Sequence, residues 1–375
     1  MKPIYLDYAA TTPVDEKVFS VAERYFKDVF YNPSSTHIAG QEAHKAVETA
    51  RESCACAIGA TADEIHFTSG GTEAVNLAMK CVRLGERRHI VVSAIDHDSV
   101  LSCAEYLSDN GYEVDYVKPT ADGVITPDAL KGVIRADTAL VAVMTVNNIV
   151  GTIQPIKELA EVAHSAGAMF FTDAVQAVNS VDISVKNTNV DMLCVSAHKF
   201  YGLKGAGFLY ARRGLKPSPF ISGGDRVRGV RSGTYNVPAI VGMGAAIAAA
   251  SEMKNKFYNP HTEKIARAFI DNLNCGRVIA KNAQRVNDIL SVSFDGVNGG
   301  RLAVALSMRG VCCSVGSACS AGSATPPRTL VAMGERGAEN SVRFSFGRQT
   351  TVECAIYAAE TVNDVVGKLT RRTDK

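Results

Sequence analysis

Met192-Leu193-Cys194-Val195-Ser196-Ala197-His198-Lys199-Phe200-Tyr201-Gly202 is an apolar run that stops on small polar residues, a lysine and a glycine. The run reads as a buried strand, and the lysine follows it directly. The same pattern recurs upstream. Ile65-His66-Phe67-Thr68 precedes Ser69-Gly70-Gly71-Thr72-Glu73 and a helical stretch through Leu77, and Ile90 to Ile95 precedes Asp96-His97-Asp98. Ala139 to Thr145 precedes Asn147-Asn148, and Met169-Phe170-Phe171-Thr172 precedes Asp173-Ala174-Val175-Gln176. Continuous apolar strands alternating with amphipathic stretches predict an α/β protein, its mostly parallel sheet covered by helices on both faces.

Open α/β sheets bind ligands at the carboxyl ends of their strands. Thr72, His97, Asn148, Asp173 with Gln176, and Lys199 all stand at such ends, which predicts one shared site. Lys199 reads as a Schiff-base lysine, because that chemistry needs an amine on fixed, partly desolvated backbone and an acid to hold the cofactor's ring nitrogen. Asp173 supplies a suitable acid, with Gln176 placed for a ring hydroxyl. Ser69-Gly70-Gly71-Thr72 at a helix start offers amides, hydroxyls and a positive helix end to a phosphate, and Ser196 and His198 could complete the cup. His97 could stack on the cofactor and relay protons, and Asn148 could contact substrate or ring. Each has a plainer reading: Asp173 as a helix cap, His97 as a buried histidine, His198 as a surface imidazole, Asn148 as a turn former, Lys199 as a solvated loop lysine.

The chain has 375 residues, enough for two domains at roughly 150 residues each. Residues 14–254 are assigned to a large domain, and 1–13 with 255–375 to a smaller α+β domain. Helices are expected over 14–30, 41–58, 238–253, 262–273, 299–308, 325–333 and 351–368. Further strands are expected near 205–210, 289–294 and 341–346, with a joint at Asn255 to Pro260. The 40 basic and 38 acidic residues leave a net charge of +2, which argues for neither nucleic acid nor a membrane surface. The N-terminus lacks an apolar signal core and no run approaches the roughly eighteen apolar residues of a membrane span, so a cytoplasmic protein is expected.

The ten cysteines are scattered through a large chain, which predicts reduced core thiols for most of them. Cys319 differs. It stands in Ser314-Val315-Gly316-Ser317-Ala318-Cys319-Ser320-Ala321-Gly322-Ser323-Ala324, small residues with little to bury, so a mobile loop over about 314–326 is expected. A zinc site from Cys312, Cys313 and Cys319 lacks the paired C-x-x-C spacing, and no metal is expected.

Seven motifs together resemble the pyridoxal-phosphate-dependent cysteine desulfurases of fold type I that serve iron–sulfur cluster assembly. They are Tyr5-Leu6-Asp7-Tyr8-Ala9-Ala10-Thr11-Thr12-Pro13, Asn32-Pro33-Ser34-Ser35, Phe67 to Glu73, Ser196-Ala197-His198-Lys199, Arg231-Ser232-Gly233-Thr234, Gly316-Ser317-Ala318-Cys319 and Val342-Arg343-Phe344-Ser345. The resemblance implies a PLP-dependent transferase fold of type I, with a seven-stranded sheet, and a pyridoxal 5′-phosphate cofactor bound covalently to Lys199. Gly71, Thr72, Ser196 and His198 would hold the phosphate, and Thr234 would reach the phosphate of the neighbouring subunit in a homodimer. Arg343, with Asn148 and Asn32, would bind the substrate L-cysteine. Cys319 would take the sulfur as a persulfide, leaving L-alanine, and pass it to an acceptor protein such as a cluster scaffold or a tRNA-thiolating enzyme.

The chain departs from the family pattern at several points. Ile149 stands where a glutamate usually follows the paired asparagines, Tyr31 replaces a glycine, and Gly223-Gly224-Asp225-Arg226-Val227 and Pro326-Pro327-Arg328-Thr329-Leu330 differ from the usual runs. Selenocysteine lyase and a non-catalytic protein of the same fold are the alternatives.

Overall fold

The computed structural model describes residues 3–81, 85–215, 217–224, 226–227, 230–316 and 326–373. An N-terminal arm carries β1 (Ile4–Tyr5), followed by α1 (Glu16–Lys27) and α2 (Ile38–Ile58). Asp15 caps α1 by accepting from the amides of Lys17 and Val18, and Gly59 closes α2 in the left-handed conformation at φ 71°. Next come β2 (Ile65–Thr68), α3 (Gly71–Cys81), β3 (His89–Ser93), α4 (Asp98–Asp109), β4 (Glu113–Val117) and α5 (Pro127–Lys131). The series continues with β5 (Thr138–Ala142), α6 (Ile156–Ser165), β6 (Met169–Asp173), α7 (Val185–Thr188), β7 (Met192–Ser196) and β8 (Gly207–Ala211).

These strands form a seven-stranded sheet in the order β2-β8-β7-β6-β5-β3-β4. β3 to β7 pair in parallel, whereas β8 runs antiparallel to both β7 and β2. Alternation along each strand splits the core in two. Val91, Val141, Phe170 and Val195 join the cluster that also holds α2, α6 and α8 residues, while Ile90, Val92, Leu140, Phe171 and Cys194 join the one packed with α3 and α4. Each such side chain, fully removed from water, contributes about 1.5–3 kcal/mol.

A short hairpin of β9 (Arg226–Val227) and β10 (Arg231–Ser232) leads to α8 (Val237–Met253). The expected joint at Asn255 to Pro260 is helical instead: a π-helical turn over Lys254–Tyr258 runs straight into α9 (Asn259–Asp271). Pro260 sits in the first turn of that helix, where its missing N–H costs nothing. The C-terminal layer contains β11 (Arg277–Val278), β12 (Ile289–Ser293), α10 (Gly299–Ser307), β13 (Val311–Cys312), α11 (Arg328–Ala332), β14 (Ser341–Ser345) and α12 (Val352–Thr373). β11, β12 and β14 make a three-stranded antiparallel sheet over a separate core of Phe269, Leu290, Val342, Phe344 and Phe346. β1 pairs in parallel with β13, and Leu6 is buried in that same core, so the N-terminal arm is tied to the C-terminal layer.

The edge strand β4 was missing from the expected strands. Glu113-Val114-Asp115-Tyr116-Val117 alternates polar and apolar residues at a half-exposed edge and offers no apolar run to read. No described helix is long and apolar enough to cross a membrane.

Candidate active site

The carboxyl ends of β6 and β7, the turns beyond β3 and β5, and the start of α3 surround a cleft of about 500 Å³. Gly71, Thr72, Ser196 and His198 line one part of it. His97, Asn148, Asp173, Gln176, Lys199 and Arg343 line the rest. Two expected residues lie elsewhere. Asn32 is exposed, its side chain closing a turn onto the Ser34 amide at 2.9 Å. Thr234, also exposed, lines a neighbouring hollow of about 190 Å³ with Ser69 and Gly205. Cys319 lies outside the described residues, as does the Arg226 side chain. A larger groove of about 1360 Å³ between the N-terminal arm and α8 shares Thr11 and Lys204 with the cleft but includes neither Lys199 nor Asp173.

Lys199 occupies a single turn of 3-10 helix straight after β7, and its Nζ donates to the carbonyls of Ala9 at 2.6 Å and Ala10 at 2.9 Å. Gln176 Nε2 donates to the same Ala9 oxygen at 2.8 Å. These main-chain acceptors come from the N-terminal arm, about 190 residues away in sequence, and pattern reading missed them. Close approach of backbones shapes the phosphate end. A Cβ on Gly207 would lie 2.6 Å from the Val195 carbonyl and 2.8 Å from Gly70 Cα, so only glycine lets β8 pass this closely behind the Gly70 turn. Glu73 braces the turn by accepting from the Ser69 amide at 2.7 Å, and Arg231 holds Glu73 at 3.2 Å.

Asp173 ends β6, buried, with Oδ1 accepting from the Val175 amide at 2.9 Å. Burial raises its pKa, while the nearby His97 and Lys199 act in the opposite direction. Asp96 is buried close by and accepts from the Met144 amide at 3.0 Å. Burial and the adjacent Asp173 push Asp96 well above the usual carboxylate range. Asp96 was read only as part of a turn, although its place directly ahead of His97 was a usable signal.

His97 Nδ1 accepts from the Ser99 amide at 3.1 Å, so the neutral ring carries its proton on Nε2. His198 is held near the neutral form: burial first, then Lys199 and Lys204, lower its pKa to about 4. Arg343 is buried, with Nη1 donating to the Asn148 carbonyl and Nη2 to Asp7, both at 2.8 Å. Its Nε is buried with no hydrogen-bond partner among the described residues, an orphaned donor suited to a carboxylate. Ile149, at the position of the family's glutamate, is buried in the core, so hydrophobic packing replaces the charge there.

Burial disfavours the thiolate at several of the other cysteines. Burial raises Cys54 and Cys313 to about 12 and Cys103 to about 11, and pushes Cys194 well above the ordinary thiol value. All nine cysteines of the described residues are free thiols, and no described cluster of three or more His, Cys, Asp or Glu could hold a metal.

A mostly parallel seven-stranded sheet, with a lysine after one strand end and a buried acid after the next, is the architecture of the pyridoxal-phosphate enzymes of fold type I. The aminotransferase class-V family model matches residues 4–354, and the chain belongs to that family. The Bacillus subtilis protein IscS 1 is 43% identical over 99% of this chain and 100% of its own length. The cysteine desulfurase IscS of Pseudomonas putida is 41% identical, covering 98% of this chain and 93% of its own. Among solved structures, a NifS-like protein superposes with a TM-score of 0.90 at 33% identity, covering 97% of this chain and 99% of that one. SspA in complex with cysteine superposes at 0.82 with 35% identity, covering 91% and 98%.

The family's cofactor is pyridoxal 5′-phosphate, and the donor set of the cleft fits it. A buried carboxylate at Asp173 suits a protonated ring nitrogen, the α3 start with Ser196 suits a phosphate, and Lys199 supplies the amine.

Proposed function

We propose that the protein is a cysteine desulfurase that converts L-cysteine to L-alanine and takes the sulfur onto Cys319 as a persulfide. One observation carries this reading: Lys199, Asp173 and Arg343 share a single cleft. Ser314, five residues before Cys319, exchanges backbone hydrogen bonds with Arg343 at 3.1 and 2.6 Å.

The bound cofactor supplies an electron sink for the substrate α-carbon. With it bound, Asp173 would keep the ring nitrogen protonated, and Thr72, Ser196 and the neutral His198 would hold the phosphate. Arg343 binds the substrate carboxylate through its unpartnered Nε, with the guanidinium oriented by Asp7 and the Asn148 carbonyl. The Lys199 amine would remove the substrate α-proton, and His97, protonated on Nε2, would relay protons. The Cys319 thiolate attacks the substrate sulfur; the S–S bond forms as the C–S bond breaks, and the carbon fragment leaves as alanine.

We also propose a homodimer in which Thr234 of each protomer meets the phosphate bound by its partner, with Asn32 near the shared mouth. Both residues are exposed and off the cleft of their own chain, which supports this arrangement. The proposed large domain spans 14–254, with 1–13 and 255–375 in the smaller one, and the β1–β13 pairing supports the grouping. The sulfur acceptor is a protein, and the enzyme works in the cytoplasm. Incubation with L-cysteine and a reductant, with alanine and sulfide both quantified, tests the activity. Parallel assays with selenocysteine separate it from a lyase.

A further inference from the structure

Tyr201 is the described residue nearest the lysine that holds a left-handed backbone without being glycine, at φ 66°. Such a conformation strains a side-chain-bearing residue and persists only where its surroundings over-determine it. The surroundings here come from two directions. From the N-terminal arm, Thr12 Oγ1 accepts from the Tyr201 amide at 2.8 Å, and the Asp15 amide donates to the Tyr201 carbonyl at 3.0 Å. From the C-terminal layer, the Arg348 amide donates to the phenol oxygen at 2.7 Å, and the Arg348 guanidinium lies 4.0 Å from the ring centroid. Arg348 also pairs with Asp15 at 3.3 Å.

Glycine would adopt this φ without strain, so the phenol is kept for its anchor. The anchored turn fixes the lysine's backbone. Thr12 also holds the His198 carbonyl, donating from its amide at 2.9 Å and its hydroxyl at 3.0 Å, while Asn179 donates to the Lys199 carbonyl at 2.8 Å. Arg348 lies just beyond the strand that carries Arg343, so one segment of the C-terminal layer contacts the cleft at Arg343 and the lysine turn at Tyr201.

We propose that Tyr201 is a positioning residue through which Arg348 and the C-terminal layer set the backbone of Lys199. This rests on the reading of Lys199 as the cofactor-binding lysine. Tyr201→Phe keeps the ring and loses the phenol acceptor; Tyr201→Gly loses the anchor and relieves the strain.

The test uses holoenzyme, measuring kcat and KM for L-cysteine, the pH titration of the bound cofactor's visible absorption, and the thermal midpoint. For Tyr201→Phe, kcat should fall about tenfold with KM within about twofold, since misplacement of a reacting group costs turnover rather than binding, and the absorption titration should shift. Tyr201→Gly should lose more turnover, and because it removes a buried ring it should also lower the thermal midpoint. A lowered thermal midpoint with kcat and absorption titration unchanged in both variants would mean the tyrosine only packs, and would overturn the proposal. Should Tyr201→Gly fail to fold, Tyr201→Phe alone decides on the same readouts. If the parent shows no turnover of L-cysteine, the desulfurase reading fails, and the absorption titration still decides for or against the positioning role.

Discussion

Arg343 Nη2 stands 2.8 Å from Asp7 Oδ1, although the two residues are 336 positions apart in the chain. The pairing joins the N-terminal arm to β14 at the substrate end of the cleft. It leaves the buried Nε of Arg343 as a donor for an incoming carboxylate. Hydrogen bonds to charged groups contribute about 1.5–3 kcal/mol, so Arg343→Ala should raise KM for L-cysteine by about 10–150-fold, with a smaller change in kcat. Asp7→Asn should raise KM by less, because it loosens the fork without removing it. Steady-state kinetics on both variants check this, and equal KM values in parent and Arg343→Ala would remove the residue from substrate binding.

Asp173 and Asp96 are both buried, burial raises the pKa of each, and Asp173 is the one placed near His97 and Lys199. Asp173→Ala should therefore lower kcat by about 10²–10³-fold, a range set by the loss of one preorganised electrostatic partner. The variant should also bind pyridoxal 5′-phosphate more weakly, read as release of visible absorption on dialysis. Asp96→Asn should retain most of the activity, because Asp96 does not line the cleft.

His198 yields a pH prediction for the cofactor-free protein. Its pKa falls from 6.5 to about 4 on folding, so the folded state binds fewer protons than the unfolded one within that window. The corresponding stability is fully present above 6.5 and is lost as pH drops towards 4. His198→Gln should flatten the dependence of thermal midpoint on pH between those values. Scanning calorimetry on parent and variant checks it, and identical slopes would show that His198 titrates normally.

The sequence was legible where chemistry sits at the end of an apolar run. Lys199, Asp173, Gln176, His97 and Asn148 each follow such a run, and strand burial on two faces makes the run continuous. Glu113 to Val117 was illegible because an edge strand carries only alternation. The partners of Lys199 were hidden for another reason. The Ala9 and Ala10 carbonyls act through the main chain, which leaves no mark on residue identity. The left-handed turn at Tyr201 was likewise unreadable, since its tyrosine is the residue least expected there and its support comes from Thr12, Asp15 and Arg348, all remote in sequence. The helical run through Lys254 to Pro260 shows the opposite error: asparagines and a proline suggest a break, but proline in a first turn is compatible with a helix.

The most direct measurement gives the purified holoenzyme L-cysteine and a reductant and quantifies alanine and sulfide for the parent, Cys319→Ala and Lys199→Ala. The parent should release equal amounts of both products. Cys319→Ala should release neither while keeping the visible absorption of bound cofactor, and Lys199→Ala should lose alanine formation and change that absorption. Sulfide release by Cys319→Ala at the parent's rate would contradict transfer of sulfur to this cysteine.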